Sequence, residues 1–480
     1  MSGRRSRFLG FALLASAGAG LMALTSMINS AFAFGATPDV TDPVPPTTEV
    51  MGGSGAPIPP PGYVDAVNNL YIQPNLPGTA PAALFTPEGF YPLTGVKDLP
   101  LNTSVTQGVQ ILNDTIQPYI IAGTPVGVFG YSQSAIIASL EMANLQAAGV
   151  PSSATDFVLI GDPMSPNGGL FERFDGLMIP SLGLTFYGAT PADAYPANIY
   201  SLEYDPASDY PRYPINLLAD LNAEAGYSYL HGTYPSLTPA EVATAIPLTT
   251  SGPTLTDYYM IPVTNLPLLE PLRSIPIIGN PIADLLQPDL TYLVNLGYGD
   301  PLYGYSTDPA NVPTPFGLFP PLSGFEQLPG LLASGTQQGI ENFSGDLTGA
   351  GPHPVSLSLL DAPSGMASTI MTDPLAALPA ATNDPASSLT NLADTLSNVL
   401  SADYAALLPT ADLGLAALTA LPAYDASLFL DGIEAGDLLN AIGDPIAADV
   451  GLVSLASLME AEVVLSAVDT TVGALTGLIP

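Results

Sequence analysis

The segment Val126-Gly127-Val128-Phe129-Gly130-Tyr131-Ser132-Gln133-Ser134-Ala135 constrains this chain more than any other. A short apolar, strand-like run ends at a small residue, and one serine occupies the turn. A helical pattern then runs from Ala135 to Ala148, closed by Gly149 and Pro151. Strand, sharp turn and helix in immediate succession lift a serine out of the top of a sheet, the arrangement of a nucleophile elbow. Two residues after Ser132 the chain needs a small side chain, so that the helix can start close to the strand. Ser134 meets that need, less freely than glycine would.

The surrounding sequence keeps the same rhythm. Thr48-Glu49-Val50-Met51 is strand-like and runs into Gly52-Gly53-Ser54-Gly55, Val105 to Ile121 is helical, and Asp156 to Gly161 and Ala197 to Tyr204 are further strands. Strands alternating with helices predict an α/β fold over 48–320, a mostly parallel sheet with helices on both faces. From Pro235 to about Pro320 the sequence is Leu-Pro-rich and too proline-dense for long helices. It is expected to be either a lid or acyl-binding wall over the sheet's C-terminal edge, or a packed irregular extension. Residues 321–480 are rich in Ala, Leu, Asp and Ser, with helical spacing at Leu389, Leu392, Leu396 and Leu400 and again at Leu452, Leu455 and Met459. They predict several short amphipathic helices broken by Pro and Gly, which dock on the catalytic domain, line the envelope or stay partly disordered.

Residues 1–33 read as an export signal: Arg4, Arg5 and Arg7, an apolar run from Phe8, then the small-x-small site Ala31-Phe32-Ala33. Arg4-Arg5-Ser6-Arg7-Phe8-Leu9 also resembles a twin-arginine signal. Residues 34–47, rich in Pro, Thr and Asp, read as a linker. The expected destination is therefore secretion or the cell envelope, and no later run is expected to span a bilayer. With no cysteine, an exported chain must stand on its core alone. Signal removal takes the formal charge from −36 to −39, leaving only Lys97, Arg173, Arg212 and Arg273 basic. Such a surface excludes nucleic acid and repels anionic headgroups, so any peripheral envelope contact would be apolar.

A serine nucleophile needs a base and an acid to orient it. The chain has two histidines. His353 stands between Pro352 and Pro354 and reads as a solvated loop residue, which leaves His231, in Tyr229-Leu230-His231-Gly232, as the candidate base. The acid is expected after a strand between serine and histidine, the order Ser, Asp, His. Tyr204-Asp205-Pro206-Ala207-Ser208-Asp209-Tyr210-Pro211 offers Asp205 at the strand's end and Asp209 one turn on. Asp205 is geometrically simpler, Asp209 suits a turn-holding role, and Asp162, one unit earlier, ranks third. A developing oxyanion needs donors already in place: the N–H of Gln133, and the Ser54 turn through backbone N–H and hydroxyl. That glycine-rich turn lacks a following Lys and the spacing of a phosphate loop. Neither a paired-His motif nor a calcium loop occurs, so neither metal nor cofactor is expected.

Taken in order, the Gly-Gly-Ser-Gly turn at 52–55, Gly130 to Ser134, Leu159-Ile160-Gly161-Asp162-Pro163, Tyr204-Asp205 through Asp209-Tyr210-Pro211, Asn216 to Asn222, His231 and Asn295 to Pro301 resemble the PE-PPE domain family of mycobacteria. This is a group of serine α/β-hydrolases related in fold to cutinases, and the resemblance covers roughly residues 48 to 310. The family tolerates serine at the last elbow position. Instead of a helical PE or PPE module, an export signal is expected before the domain. In that respect the chain resembles envelope members thought to move acyl chains onto trehalose, and others described as esterases. The resemblance implies an acyl-ester substrate and leaves open whether water or a sugar hydroxyl is the acceptor. The competing expectation is a non-catalytic envelope protein that keeps a hydrolase fold as a binding scaffold.

Overall fold

The computed structural model describes residues 46–353 and 385–476; the expected export signal and the linker up to residue 45 lie outside them. In chain order the strands are β1 (Thr47–Val50), β2 (Ala80–Ala83), β3 (Val126–Tyr131), β4 (Thr155–Ile160), β5 (Met178–Ile179), β6 (Leu184–Thr185), β7 (Ala197–Leu202), β8 (Ile246–Pro247) and β9 (Thr256–Ile261). Seven form one sheet in the order β2-β1-β3-β4-β7-β9-β8, while β5 and β6 make a separate antiparallel ribbon. Every pairing in the large sheet is parallel except β8 with β9. The expected α/β class is what the chain adopts.

Alternation along each strand sorts side chains to two cores. Val128, Phe157, Leu159 and Ile199 pack on one face with Leu112 and Ile116 of the helix Leu101–Ala122 and Ile137 and Met142 of the helix Gln133–Ala147. Phe129, Val158, Ile160, Tyr200 and Leu202 pack on the other with Val67 and Tyr71. Burial on both faces explains why these strands read as nearly unbroken apolar runs.

The connections after β1 and β3 leave in opposite directions, since β2 lies on one side of β1 and β3, then β4, on the other. A crevice opens at the carboxyl ends of strands where the order reverses in this way. Gly52 to Gly55 follows β1 and Ser132 follows β3, so both meet at that crevice. The fold itself chooses the site.

Three expectations are corrected. The region 235–320 is not free of long helices: beside β8 and β9 it holds the helix Gly279–Asn295, with Pro281 and Pro288 inside it. Pro281 falls in the first turn, where N–H groups have no intrahelical partner, and the helix packs on the helix Leu322–Thr348. Gly339 permits that approach, since a Cβ there would lie 2.1 Å from the Leu285 carbonyl oxygen. Beyond residue 384 the chain forms two long helices, Pro385–Ala435 and Leu438–Thr476, rather than several short ones. Gly436, at φ 77°, lies between them. This C-terminal hairpin docks: Ala416, Tyr424, Ala448, Leu452 and Met459 share the core of Phe171, Phe174 and Leu184. Tyr91 donates to Asp412 at 2.7 Å, and Tyr210 donates to the Gly451 carbonyl at 3.2 Å. Finally, Leu407–Ala435, at mean hydropathy 1.5, is by length and composition long and apolar enough to cross a bilayer. No such run was expected after the signal; the apolarity is spread over Ala and Leu between isolated aspartates, which hides it from a reading of contiguous residues.

Candidate active site

Ser132 sits between the last residue of β3 and the first of the elbow helix, at φ 56° and ψ −117°. Positive φ on a serine costs ~1–3 kcal/mol and persists only where its surroundings hold it. Here the Ser132 N–H donates to the Ile160 carbonyl at 3.2 Å and its carbonyl accepts from Ala135 N–H at 3.0 Å. Ser134 adds a clamp, accepting from Tyr131 N–H at 2.8 Å and donating to the Tyr131 carbonyl at 3.1 Å. The serine in place of the usual glycine therefore ties the strand end to the helix start. Gly130 must be glycine, because a Cβ there would lie 2.8 Å from the Ser134 carbonyl oxygen and 2.9 Å from Ala135 Cα.

His231 opens a short 3-10 turn just after the helix Leu217–Tyr229. Its Nε2 lies 2.8 Å from Ser132 Oγ and its Nδ1 lies 2.9 Å from Asp205 Oδ1. With the carboxylate accepting from Nδ1–H, Nε2 is left to accept the serine proton. Asp205 is fully buried and follows β7 by three residues. Its Oδ1 also accepts from Ala207 N–H at 3.1 Å, and its Oδ2 accepts from Tyr234 at 2.7 Å and Ser208 at 3.1 Å. Burial alone would raise this carboxyl's pKa, but the His231 charge and these hydrogen bonds outweigh it and hold the group below its ordinary value.

Of the two aspartates left open by the sequence, the chain brings Asp205 to the imidazole. Asp209 turns away and accepts from Tyr204 N–H at 2.9 Å, holding the loop. Burial pushes its carboxyl well above the usual range despite that bond. Asp162 also serves a turn, accepting from Met164 N–H at 2.9 Å and from Thr190 at 2.6 Å. Burial raises it to about 6.

Gln133 N–H, at the first helical position, has no intrahelical partner and lies next to Ser132. The Ser54 turn faces it, with Gly53 so close that a Cβ would lie 3.4 Å from Ser132 Cβ. The Ser54 hydroxyl, however, donates to Gln133 Oε1 at 2.9 Å. The Gln133 amide donates in turn to Ser104 at 2.6 Å, and Ser104 also accepts from Gly89 N–H at 2.9 Å. A hydroxyl has one proton, so Ser54 in this arrangement buttresses the turn and leaves backbone N–H groups free to meet an oxyanion.

Three aromatic residues escaped the sequence reading. Tyr227 stacks on the imidazole at 5.5 Å and 14°, and Tyr131 lies 5.4 Å from the same ring at 33°. Tyr234 carries the hydroxyl on Asp205. The i, i+4 spacing of Tyr227 and His231, spanning the end of a helix, was the available signal. His353 also departs from expectation: its Nδ1 lies 2.6 Å from Asp284 Oδ2 and its N–H donates to Asp346 at 2.8 Å, in a polar cleft lined by neither Ser132 nor His231. The extension that carries it is folded there, which makes it a partnered residue. Among the described residues no cluster of His, Asp and Glu is arranged to hold a metal.

Two hollows meet at Ser132. One, with an empty volume of about 910 Å³ including its open mouth, is lined by apolar side chains such as Phe90, Phe171, Leu184 and Met459. The other, about 790 Å³, is bordered by Gly52, Ser54, Tyr63, Tyr131, Tyr227 and Gly232. Residues 235–320 contribute nothing to the apolar hollow, so of the two expectations for that segment the acyl-binding wall finds no support there. Instead the 235–320 segment extends the sheet on the far side of β7.

The profile of the PE-PPE domain matches residues 77–299. The uncharacterized PPE family protein PPE28 of Mycobacterium tuberculosis H37Rv is 48% identical over 441 residues, covering 90% of this chain and 67% of that protein. Esterase PE16 of the same organism is 44% identical over 279 residues, 57% of this chain and 51% of that one. SL1278 acyltransferase Chp1, also from that organism, is 33% identical over 193 residues, 39% of this chain and 46% of its own length. The chain thus spans between about half and two thirds of these relatives. No solved structure matches it significantly. By its sequence and its α/β sheet the chain belongs to the PE-PPE domain family, whose members include proteins named as an esterase and as an acyltransferase.

Proposed function

We propose that this chain is an exported serine enzyme acting on acyl esters of cell-envelope lipids. Ser132 Oγ attacks the ester carbonyl while His231 Nε2 takes its proton, and Asp205 orients and stabilises the resulting imidazolium. The N–H of Gln133 and backbone N–H groups of the Ser54 turn meet the oxyanion. Collapse of the tetrahedral species expels the alcohol, which takes the proton from His231, and leaves Ser132 acylated. Water, or a sugar hydroxyl such as that of a trehalose glycolipid, then attacks the acyl-enzyme by the reverse sequence. The observation that carries this reading is the pair of contacts at His231, 2.8 Å to Ser132 and 2.9 Å to Asp205.

The second hollow supports an acceptor beyond water, because it borders Ser132 and, unlike the apolar one, is walled by Gly52, Tyr63, Tyr131 and Gly232. The test is Ser132→Ala assayed beside wild type on p-nitrophenyl esters and with a fluorophosphonate probe. Loss of turnover and of labelling is expected; unchanged turnover dismisses the mechanism and leaves the non-catalytic scaffold. Adding trehalose with a labelled acyl donor separates the two acceptors, since only transfer yields acylated sugar.

A further inference from the structure

We infer that the C-terminal hairpin supplies the distal half of the acyl-chain site, so that the substrate is a long-chain ester whose tail ends between the two long helices. This rests on the acyl-enzyme reading above and deepens it. The apolar hollow at Ser132 ends against Leu184, Leu455 and Met459. Those same three side chains line a second apolar hollow of about 470 Å³ including its open mouth, whose other walls include Leu413, Ala416 and Leu421 on one helix of the hairpin, Leu452 on the other, and Ile179 and Leu182 of the domain. The two spaces therefore share a wall of flexible, uncharged side chains.

Met459 is the natural gate. An unbranched thioether with three rotatable bonds changes shape at little cost, and Met459 is nearly fully buried at the junction. The distal space is lined by Leu, Ile, Ala, Val and Met alone, with no hydrogen-bonding side chain. A hollow of that chemistry takes hydrocarbon and rejects a sugar or a headgroup. The hairpin is also anchored through both of its helices, by Tyr91 on Asp412 and by Tyr210 on the Gly451 carbonyl. Its inner face is a fixed wall of the site.

Each methylene that moves from water into such a hollow is worth ~0.8 kcal/mol, about fourfold in kcat/KM. Filling the distal space should therefore act on chain-length selectivity. The experiment compares kcat/KM for p-nitrophenyl dodecanoate and p-nitrophenyl butanoate in wild type, Ala416→Phe and Ala456→Phe, two variants that fill the space from opposite helices. A chain shortened in its site by three methylenes loses about 60-fold, so the dodecanoate-to-butanoate ratio should fall by tens-fold in either variant. A ratio unchanged in the folded variants overturns the inference. Wild-type enzyme treated with a dodecyl fluorophosphonate bearing a terminal diazirine gives an answer independent of mutation. Photolysis should crosslink Ser132-bound probe to the walls of the distal space, at residues 413–421 or 452–459, and crosslinks confined to other segments overturn the inference alone. Absence of any Ser132 adduct instead sinks the acyl-enzyme reading, and this one with it.

Discussion

Replacing Asp205 by asparagine separates the charge of the carboxylate from its geometry, and the surroundings dictate how. Oδ1 of Asp205 accepts from His231 Nδ1 at 2.9 Å and Ala207 N–H at 3.1 Å, whereas Oδ2 accepts from the Tyr234 and Ser208 hydroxyls. A backbone N–H cannot reverse its role, but a hydroxyl can turn its proton elsewhere and accept. The asparagine oxygen should therefore stay toward Ala207 and His231, with the NH₂ group facing the two hydroxyls. The imidazole keeps the tautomer that leaves Nε2 free for Ser132. What is lost is the carboxylate charge opposite the imidazolium of the transition state, worth about 4 kcal/mol at ~4 Å and an effective dielectric near 20. That corresponds to about a thousandfold in kcat/KM, less than the ~10⁴ that accompanies a wrong tautomer in a triad. Steady-state kinetics on a p-nitrophenyl ester measures the loss, and ¹⁵N NMR reads the tautomer, in a chain with only two histidines to assign. Asp209→Asn is the control, expected to leave kcat/KM within a few-fold. A loss below tenfold for Asp205→Asn, or an equal loss for Asp209→Asn, refutes the assignment of the orienting acid.

Two further perturbations test the frame around the site. Glu88 is buried, accepts from Thr86 at 2.6 Å, and is raised by burial from 4.5 to about 8. Between those values the folded chain binds a proton that the unfolded chain has lost, so Glu88 makes stability fall as pH rises, by ~5 kcal/mol across the window. Urea unfolding at pH 5 and pH 8 should show Glu88→Gln gaining on wild type at the higher pH, and a constant gap between the two proteins disproves it. Ser134→Ala removes both bonds of its hydroxyl to Tyr131 and takes the partner from a half-buried N–H, so it should cost ~1–3 kcal/mol of stability. Its kcat/KM should fall as the elbow relaxes, and full stability with full activity counts against the clamp.

Much of the sheet and of the reacting groups was legible because each rests on local order. The elbow announces itself as a strand, a turn and a helix within ten residues, and two histidines left a short search for the base. Asp205 and Asp209 could not be separated by sequence, since the choice depends on which carboxylate the loop after β7 turns toward Ala207 N–H and His231. The helix Gly279–Asn295 was hidden by Pro281 and Pro288, whose local cost is offset by packing on Leu322–Thr348. Ser54 illustrates a different limit. Its place at the crevice follows from the reversal of strand order beside β1, but the direction of its proton depends on Gln133 Oε1, 79 positions away.

The apolar hollow was the least legible feature, and for a reason that bears on function. Its walls come from the loop at Phe90 and Leu93, from Phe171 and Leu184, from Pro206 and Ala207, and from Leu455 and Met459. No one of these segments has a pattern that distinguishes a ligand wall from ordinary core. The reacting groups are held by hydrogen bonds at fixed distances, so few residues can take their place. A hydrocarbon chain asks only for apolar shape, which many residues supply. Chemistry is thus written in residues that can be named from sequence, while chain-length preference is written in how the hairpin seats on the domain. Relatives that share Ser132, Asp205 and His231 should then differ in acyl preference according to the residues they place at 413–421 and 452–459.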